Sequence, residues 1–222
     1  MQKRRIILGT YDTAENGWTL TGWQLSAAEQ KTNYISLTGG DGSWDMSTAL
    51  TDGLMRYKDR NLTVTLERSD GDRLSREEAV RHMVNLLDGM RVDIELPDDP
   101  QHHINGRLHV VRNYNDLAHA AVTVTAVCNP WRESNTETSV TLTASTAEKT
   151  ATLVNNGRRA VVPSLKVTGT NASVLLKYGD FSLSLSAGEY RWPDLLLRPG
   201  SLTLAYSGTG TVVLTYREAV LE

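Results

Sequence analysis

One cysteine, Cys128, stands in 222 residues, so no disulfide can form within the chain and folding in a reducing compartment is the simplest expectation. No run of about eighteen apolar residues is present, which leaves no candidate membrane-spanning helix. The basic start Met1-Gln2-Lys3-Arg4-Arg5 is followed only by Ile6-Ile7-Leu8 before Gly9, too short for the core of a signal peptide, and no export signal is expected. Positive charge is also lacking: 23 Lys+Arg face 26 Asp+Glu, a net charge of -3. That balance argues against sequence-specific nucleic-acid binding and against an anionic membrane as partner. Residues 1–133 hold 15 basic and 19 acidic groups, and residues 134–222 hold 8 and 7, so neither part is a basic module.

Catalytic signatures are scarce. Gly-x-Ser-x-Gly does not occur, which removes the serine-hydrolase elbow. Gly39, Gly40 and Gly42 lie in a loop that could cradle a phosphate, but no Gly-Lys-Ser/Thr closes it, and Asp41 and Asp45 would repel an anion. A tight turn is the simpler reading. His102-His103 behind Asp98-Asp99, with His109 beyond, is the one cluster that resembles metal ligands. Neighbours in an extended chain point opposite ways, so a polar loop between strands is expected there instead. Cys128 could act beside His109 or His119, yet it falls on an alternating strand next to Pro130, where a buried, inert thiol is usual. Glu67, Asp93 and Glu95 each take the polar position of an alternating strand. No catalytic residue, cofactor or metal is expected.

What is present is β-structure. Ile6–Leu8, a turn at Asn16-Gly17, 18–25 and 34–37 read as strands, with Trp18 and Leu20 on one face and Trp23 and Leu25 on the other. Coverage of both faces, one by a core and one by a partner, is one expectation, and plain burial of the tryptophans is the alternative. The turn at 39–42 is expected to lead through Leu50 and Leu54 into the first core, before the strand 61–67. A helix follows, capped by Ser75 with Glu78 completing a capping box. Val80, Met83, Val84 and Leu87 form its apolar stripe, and Gly89 takes the C′ position. Strands are expected at 91–96, 106–114 and 120–128, the last ended by Asn129-Pro130-Trp131.

From Arg132 the chain turns polar, and a boundary is placed there: residues 1–133 form an α+β domain, a sandwich-like sheet with one amphipathic helix, and residues 134–222 an all-β domain. The second part reads as short strands at 140–143, 150–154, 161–168, 173–178, 181–185, 189–192, 201–206 and 211–217, separated by glycine turns, the texture of a β-sandwich. The fold class is mainly β. Tyr190 and Trp192 could stack on a sugar in this domain, and packing in its core is the alternative.

The order and spacing of five motifs carry a resemblance. They are the glycine stretch 39–45, Tyr57-Lys58-Asp59-Arg60 before a strand, the helix ending Leu86-Leu87-Asp88-Gly89, Asn105-Gly106-Arg107, and Asn129-Pro130-Trp131. Together with Val154-Asn155-Asn156-Gly157 and Val162-Pro163-Ser164-Leu165, they resemble the distal tail (Dit) proteins of long-tailed, non-contractile bacteriophages over nearly the whole chain. The resemblance implies a galectin-like second domain and a homohexameric ring of first domains at the tail tip. That ring would join the tail tube protein to the hub and to a receptor-binding protein, assemble in the host cytoplasm, and catalyse nothing. The second domain lacks the long loop insertions that carry sugar-binding additions in relatives.

Gly39, Gly40, Asp41, Gly42, Asp45, Tyr57 and Arg60 are the candidate turn or interface residues. Asp45 is expected to meet Arg60 of the next subunit, with a pair inside one chain, or a merely structural turn, as alternatives. A carbohydrate-binding module and a metal-dependent hydrolase are the competing function classes.

Overall fold

The computed structural model describes residues 5–113 and 119–222. The basic start at residues 1–4, and Tyr114 at the end of the expected strand 106–114, lie outside them. The chain divides into two compact units, Met1–Arg132 and Glu133–Glu222. Among the described residues mainly β structure with one helix is found, and no helix is long and apolar enough to cross a membrane.

The first unit contains β1 (Ile7–Leu8), β2 (Tyr11–Asp12), β3 (Thr19–Leu25), β4 (Tyr34–Ser36), β5 (Ser43–Asp45), β6 (Arg60–Arg68), α1 (Arg73–Leu87), β7 (Arg91–Leu96), β8 (Asp99–Asn113) and β9 (Ala120–Ser134). Its sheet runs in the order β2-β1-β7-β8-β9-β6-β3, while β4 and β5 pair, among the described residues, only with each other. Alternation decides the core: Leu62, Val64 and Leu66 of β6 and Val122, Val124 and Ala126 of β9 are buried, and the residues between them face outward. Trp18 is buried, its indole N–H donating to the Tyr11 hydroxyl at 3.0 Å. Trp23 and Leu25 are half-buried against the same core.

Val80, Met83 and Leu87 of α1 are buried in that core, with Val84 packed against it, as the stripe predicts. The cap is corrected from Ser75 to Asp72, whose Oδ1 accepts from the Ser75 N–H at 2.8 Å. An aspartate three residues earlier caps as well as a serine does, and it gains the helix another turn. Gly89 has φ +76, the left-handed geometry of a C′ glycine. Two strands outrun their expected limits. β8 begins at Asp99, and β9 passes through Pro130 to Ser134. The pairing of β9 with β6 stops at Cys128, so Pro130 sits where no β6 acceptor awaits a donor.

The second unit contains β10 (Thr138–Ala144), β11 (Lys149–Asn155), β12 (Ser164–Tyr178), β13 (Phe181–Ser186), β14 (Gly188–Arg191), β15 (Gly200–Tyr216) and β16 (Ala219–Val220). Four expected strands here are two long ones, β12 and β15, paired along both their halves across an irregularity between Thr168 and Ser173. β10 and β14 flank one half, β11 and β13 the other. Backbones meet at the bend, where a Cβ on Gly208 would stand 2.0 Å from the Ser173 carbonyl oxygen. Glycine therefore lets the strands bend instead of break. Leu165, Val174, Leu204 and Leu214, taken from both halves, share one apolar core.

The polar stretch after Arg132 is tied down. Arg217 donates to the carbonyls of Ser134 at 2.9 Å and Asn135 at 2.7 Å.

Candidate functional site

β3 and β6 are antiparallel neighbours that a short turn could join, yet residues 26–59 intervene. The two strands pair with each other, and the insert between them leaves the sheet as an arm. No residue of 19–59 is buried. The expectation that this stretch leads into the core is thereby corrected: Leu50 is 98% exposed.

The root of the arm is fastened. Lys31 N–H donates to the Arg56 carbonyl and Lys58 N–H to the Glu29 carbonyl, each at 2.8 Å, around a bridge between Gln30 and Tyr57. The Tyr57 ring meets Trp131 edge-on, with centroids 5.3 Å apart. Arg60 is 2% exposed, and its Nε donates to the Ser26 carbonyl at 2.6 Å. It closes the root from inside, so its guanidinium is not on a surface where a neighbour's Asp45 could meet it.

Beyond the root, β4 and β5 form a two-stranded ribbon in the register Tyr34↔Asp45, Ile35↔Trp44, Ser36↔Ser43. Directly opposed residues share a face, so Ile35 and Trp44 stand together, with Leu37 and Met46 two residues on along the same side. Tyr34, Ser36, Ser43 and Asp45 take the other side. At the tip, Gly39 has φ +81 and Gly42 φ +75, and nothing lies within 4 Å of a Cβ built on either. Their glycines answer a backbone conformation, not a lack of space. Gly40 has an ordinary φ, and Asp41 is exposed between them. Asp45 accepts from the Ser47 N–H at 2.9 Å, and its bonds from Ser47 hold its carboxyl below the usual range.

Between residues 32 and 55 the arm carries Asp41, Asp45 and Asp52 and no lysine or arginine. Its charge of -3 equals that of the whole chain, which leaves the remainder balanced at 23 basic and 23 acidic groups (26 less the arm's three). Chemically, the arm is an acidic ribbon with one apolar side and no core of its own. Sequence reading missed that side, although its signal was present: apolar residues alternate at 35 and 37 before the glycine turn and at 44 and 46 after it.

The remaining candidates lie apart from the arm. His102 and His103 fall inside β8, not in a loop, and turn to different aspartates. His102 Nδ1 is 2.8 Å from Asp99 Oδ1, and His103 Nε2 is 3.9 Å from Asp93. Among the described residues no three His, Cys, Asp or Glu side chains gather as metal ligands. Cys128 is buried against Gly106, and burial pushes its thiol up to about 11. Trp192 is buried in the second core, its indole N–H on Asp194 at 3.1 Å, so it offers no face to a sugar. Tyr190 is half-buried and packs against that core, its hydroxyl 3.0 Å from Ser186 Oγ.

No protein-family model matches the chain, and no curated protein sequence matches it. Among solved structures it is similar to the Dit protein (gp 19.1) of SPP1, described as a paradigm of the hub adsorption apparatus in phages infecting Gram-positive bacteria. The two share 14% identity and a TM-score of 0.70, over 96% of this chain and 98% of that one. The chain has the fold of a phage distal tail protein.

Proposed function

We propose that the chain is a structural, non-catalytic protein of a phage tail tip. Residues 1–133 form a closed homohexameric ring that joins the tail tube to the hub and the receptor-binding apparatus, and residues 134–222 are a galectin-like sandwich appended to it. Assembly takes place in the host cytoplasm, and the ring becomes part of the virion. The arm carries this reading. An isolated two-stranded ribbon is marginal in water, and one that exposes Ile35 and Trp44 needs a partner to cover it. A cyclic assembly of identical chains supplies that partner at every position. The likeness in fold to a hub protein supports the place assigned to the ring.

Native mass spectrometry and electron microscopy of the full chain test the reading. The expected result is a hexamer enclosing a channel, formed alone at high concentration or with the tube or hub protein. A chain that stays monomeric with both proteins present would overturn it.

A further inference from the structure

Two features of the first unit lack a partner, and each supplies what the other needs. β3 has β6 on one side and no strand on the other among the described residues. Ser26 N–H donates to the Asn61 carbonyl, so by alternation the backbone groups of Gly22 and Gln24 face β6 while those of Trp23 and Leu25 face outward. Gly22 to Leu25 pair with β6 without irregularity, which leaves a regular free edge about as long as one strand of the arm. Half-buried Leu20, Trp23 and Leu25 border that edge, and β3 carries no charge.

We infer that the arm of one copy adds as a strand to the β3 edge of the next copy. The inference rests on the ring reading above and names the surface that receives the arm. Pairing along an edge satisfies the outward donors and acceptors of Trp23 and Leu25 and those on the open side of the ribbon. It also lays Ile35 or Trp44 beside Trp23. Contact of one arm with another is disfavoured, since each brings three carboxylates and no cation between residues 32 and 55. Arm and edge are different surfaces, so the contact made head-to-tail propagates around a ring, whereas reciprocal exchange of arms would close a two-fold dimer.

Leu25→Pro removes an outward donor and leaves the bonds to β6 intact, while Leu25→Ala controls for the lost side chain. The expected result is assembly of the alanine variant, read by sedimentation, and none of the proline variant. A second measurement keeps the test open if the proline variant unfolds. Gln24→Cys combined with Ser36→Cys, oxidised in the full chain, should give a covalent ladder beyond the dimer, with buried Cys128 silent. No cross-link, or one that stops at the dimer, would overturn the head-to-tail strand addition. Trp44→Lys separates the two readings. If it is monomeric while Leu25→Pro assembles, the arm docks elsewhere and the ring reading survives. If Trp44→Lys assembles like the wild type, the arm is not the contact: the strand addition falls, and the ring reading is decided by the mass of that assembly.

Discussion

Ile35 and Trp44 stand directly opposite one another on the arm, 47% and 62% exposed, with no buried residue beneath them. A pair of that kind contributes nothing to the core and is free to serve a contact. Replacing both by serine should leave the melting of the full chain within about 0.5 kcal/mol of the wild type, the range of surface substitutions. Self-association should weaken by about 2 kcal/mol or more, roughly thirtyfold, because aromatic anchors dominate interfaces. Calorimetry and sedimentation read the two quantities. A large loss of stability with association unchanged would place the pair in the fold instead.

Limited proteolysis reports the same exposure by another route. Trp44 and Leu50 lie beyond the fastened root in a segment without buried residues, whereas 134 and 135 are held by Arg217. Chymotrypsin should therefore cut first at Trp44 or Leu50, and assembly should slow those cuts. First cleavage at Trp131, beside the polar stretch that reads as a linker, would contradict this.

How far the sequence reveals such features depends on whether their causes are local. The stripe of Val80, Met83 and Leu87 is legible because 3.6-residue periodicity and burial coincide, and Leu62, Val64 and Leu66 are legible for the matching reason in strands. The helix start is ambiguous by three residues because Asp72 and Ser75 are both capping types, and only geometry shows the aspartate carboxylate on the Ser75 N–H. The continuity of β12 and β15 is hidden, since Gly208 reads as a turn until the Ser173 backbone is seen against it. Leu50 and Trp44 mislead most: an apolar side chain outside the core looks in sequence like one inside it. Of the candidate site, the glycine turn was legible and the exposed side of the arm was not.

Asp99 is one of the carboxylates through which the first unit loses stability in acid. It accepts from Arg132 Nη1 at 3.2 Å and lies 2.8 Å from His102 Nδ1, and Arg132 is 8% exposed with no partner for its Nε among the described residues. Burial pushes the Asp99 carboxyl up, but the hydrogen bonds and charges of His102 and Arg132 outweigh it and hold it below the usual range. A folded-state pKa below the unfolded one gives stability that is present above the unfolded value and lost as pH falls through the folded one. Asp99→Ala should cost about 3 kcal/mol at neutral pH, the low end for breaking a buried ion pair, since the carboxylate keeps some solvent. Urea melts of both proteins should converge as the pH approaches the acid limit of folding. A gap that does not depend on pH would mean that packing, not charge, is lost.

In the second unit the decisive contact is between Gly157 and Ala219. A Cβ on Gly157 would stand 2.7 Å from the Ala219 nitrogen and 2.8 Å from its oxygen. Neither atom can retreat freely, because the Ala219 carbonyl accepts from Arg158 N–H at 2.7 Å and Ala219 begins β16. The turn is fixed from the other side as well. Buried Asn155 accepts from Gly157 N–H at 3.0 Å and donates to the carbonyls of Arg159 at 2.8 Å and Leu197 at 3.0 Å. Gly157→Ala should therefore destabilise the chain by roughly 1–3 kcal/mol, the range for forcing a methyl into filled space. Gly22→Ala is the matched comparison, with nothing within 4 Å of its added Cβ and a φ outside the left-handed region. It should be neutral or stabilise by up to about 1 kcal/mol, by restricting the unfolded chain. Melting the two variants side by side checks the claim, and equal melting temperatures would show that the Ala219 backbone yields to the methyl group after all.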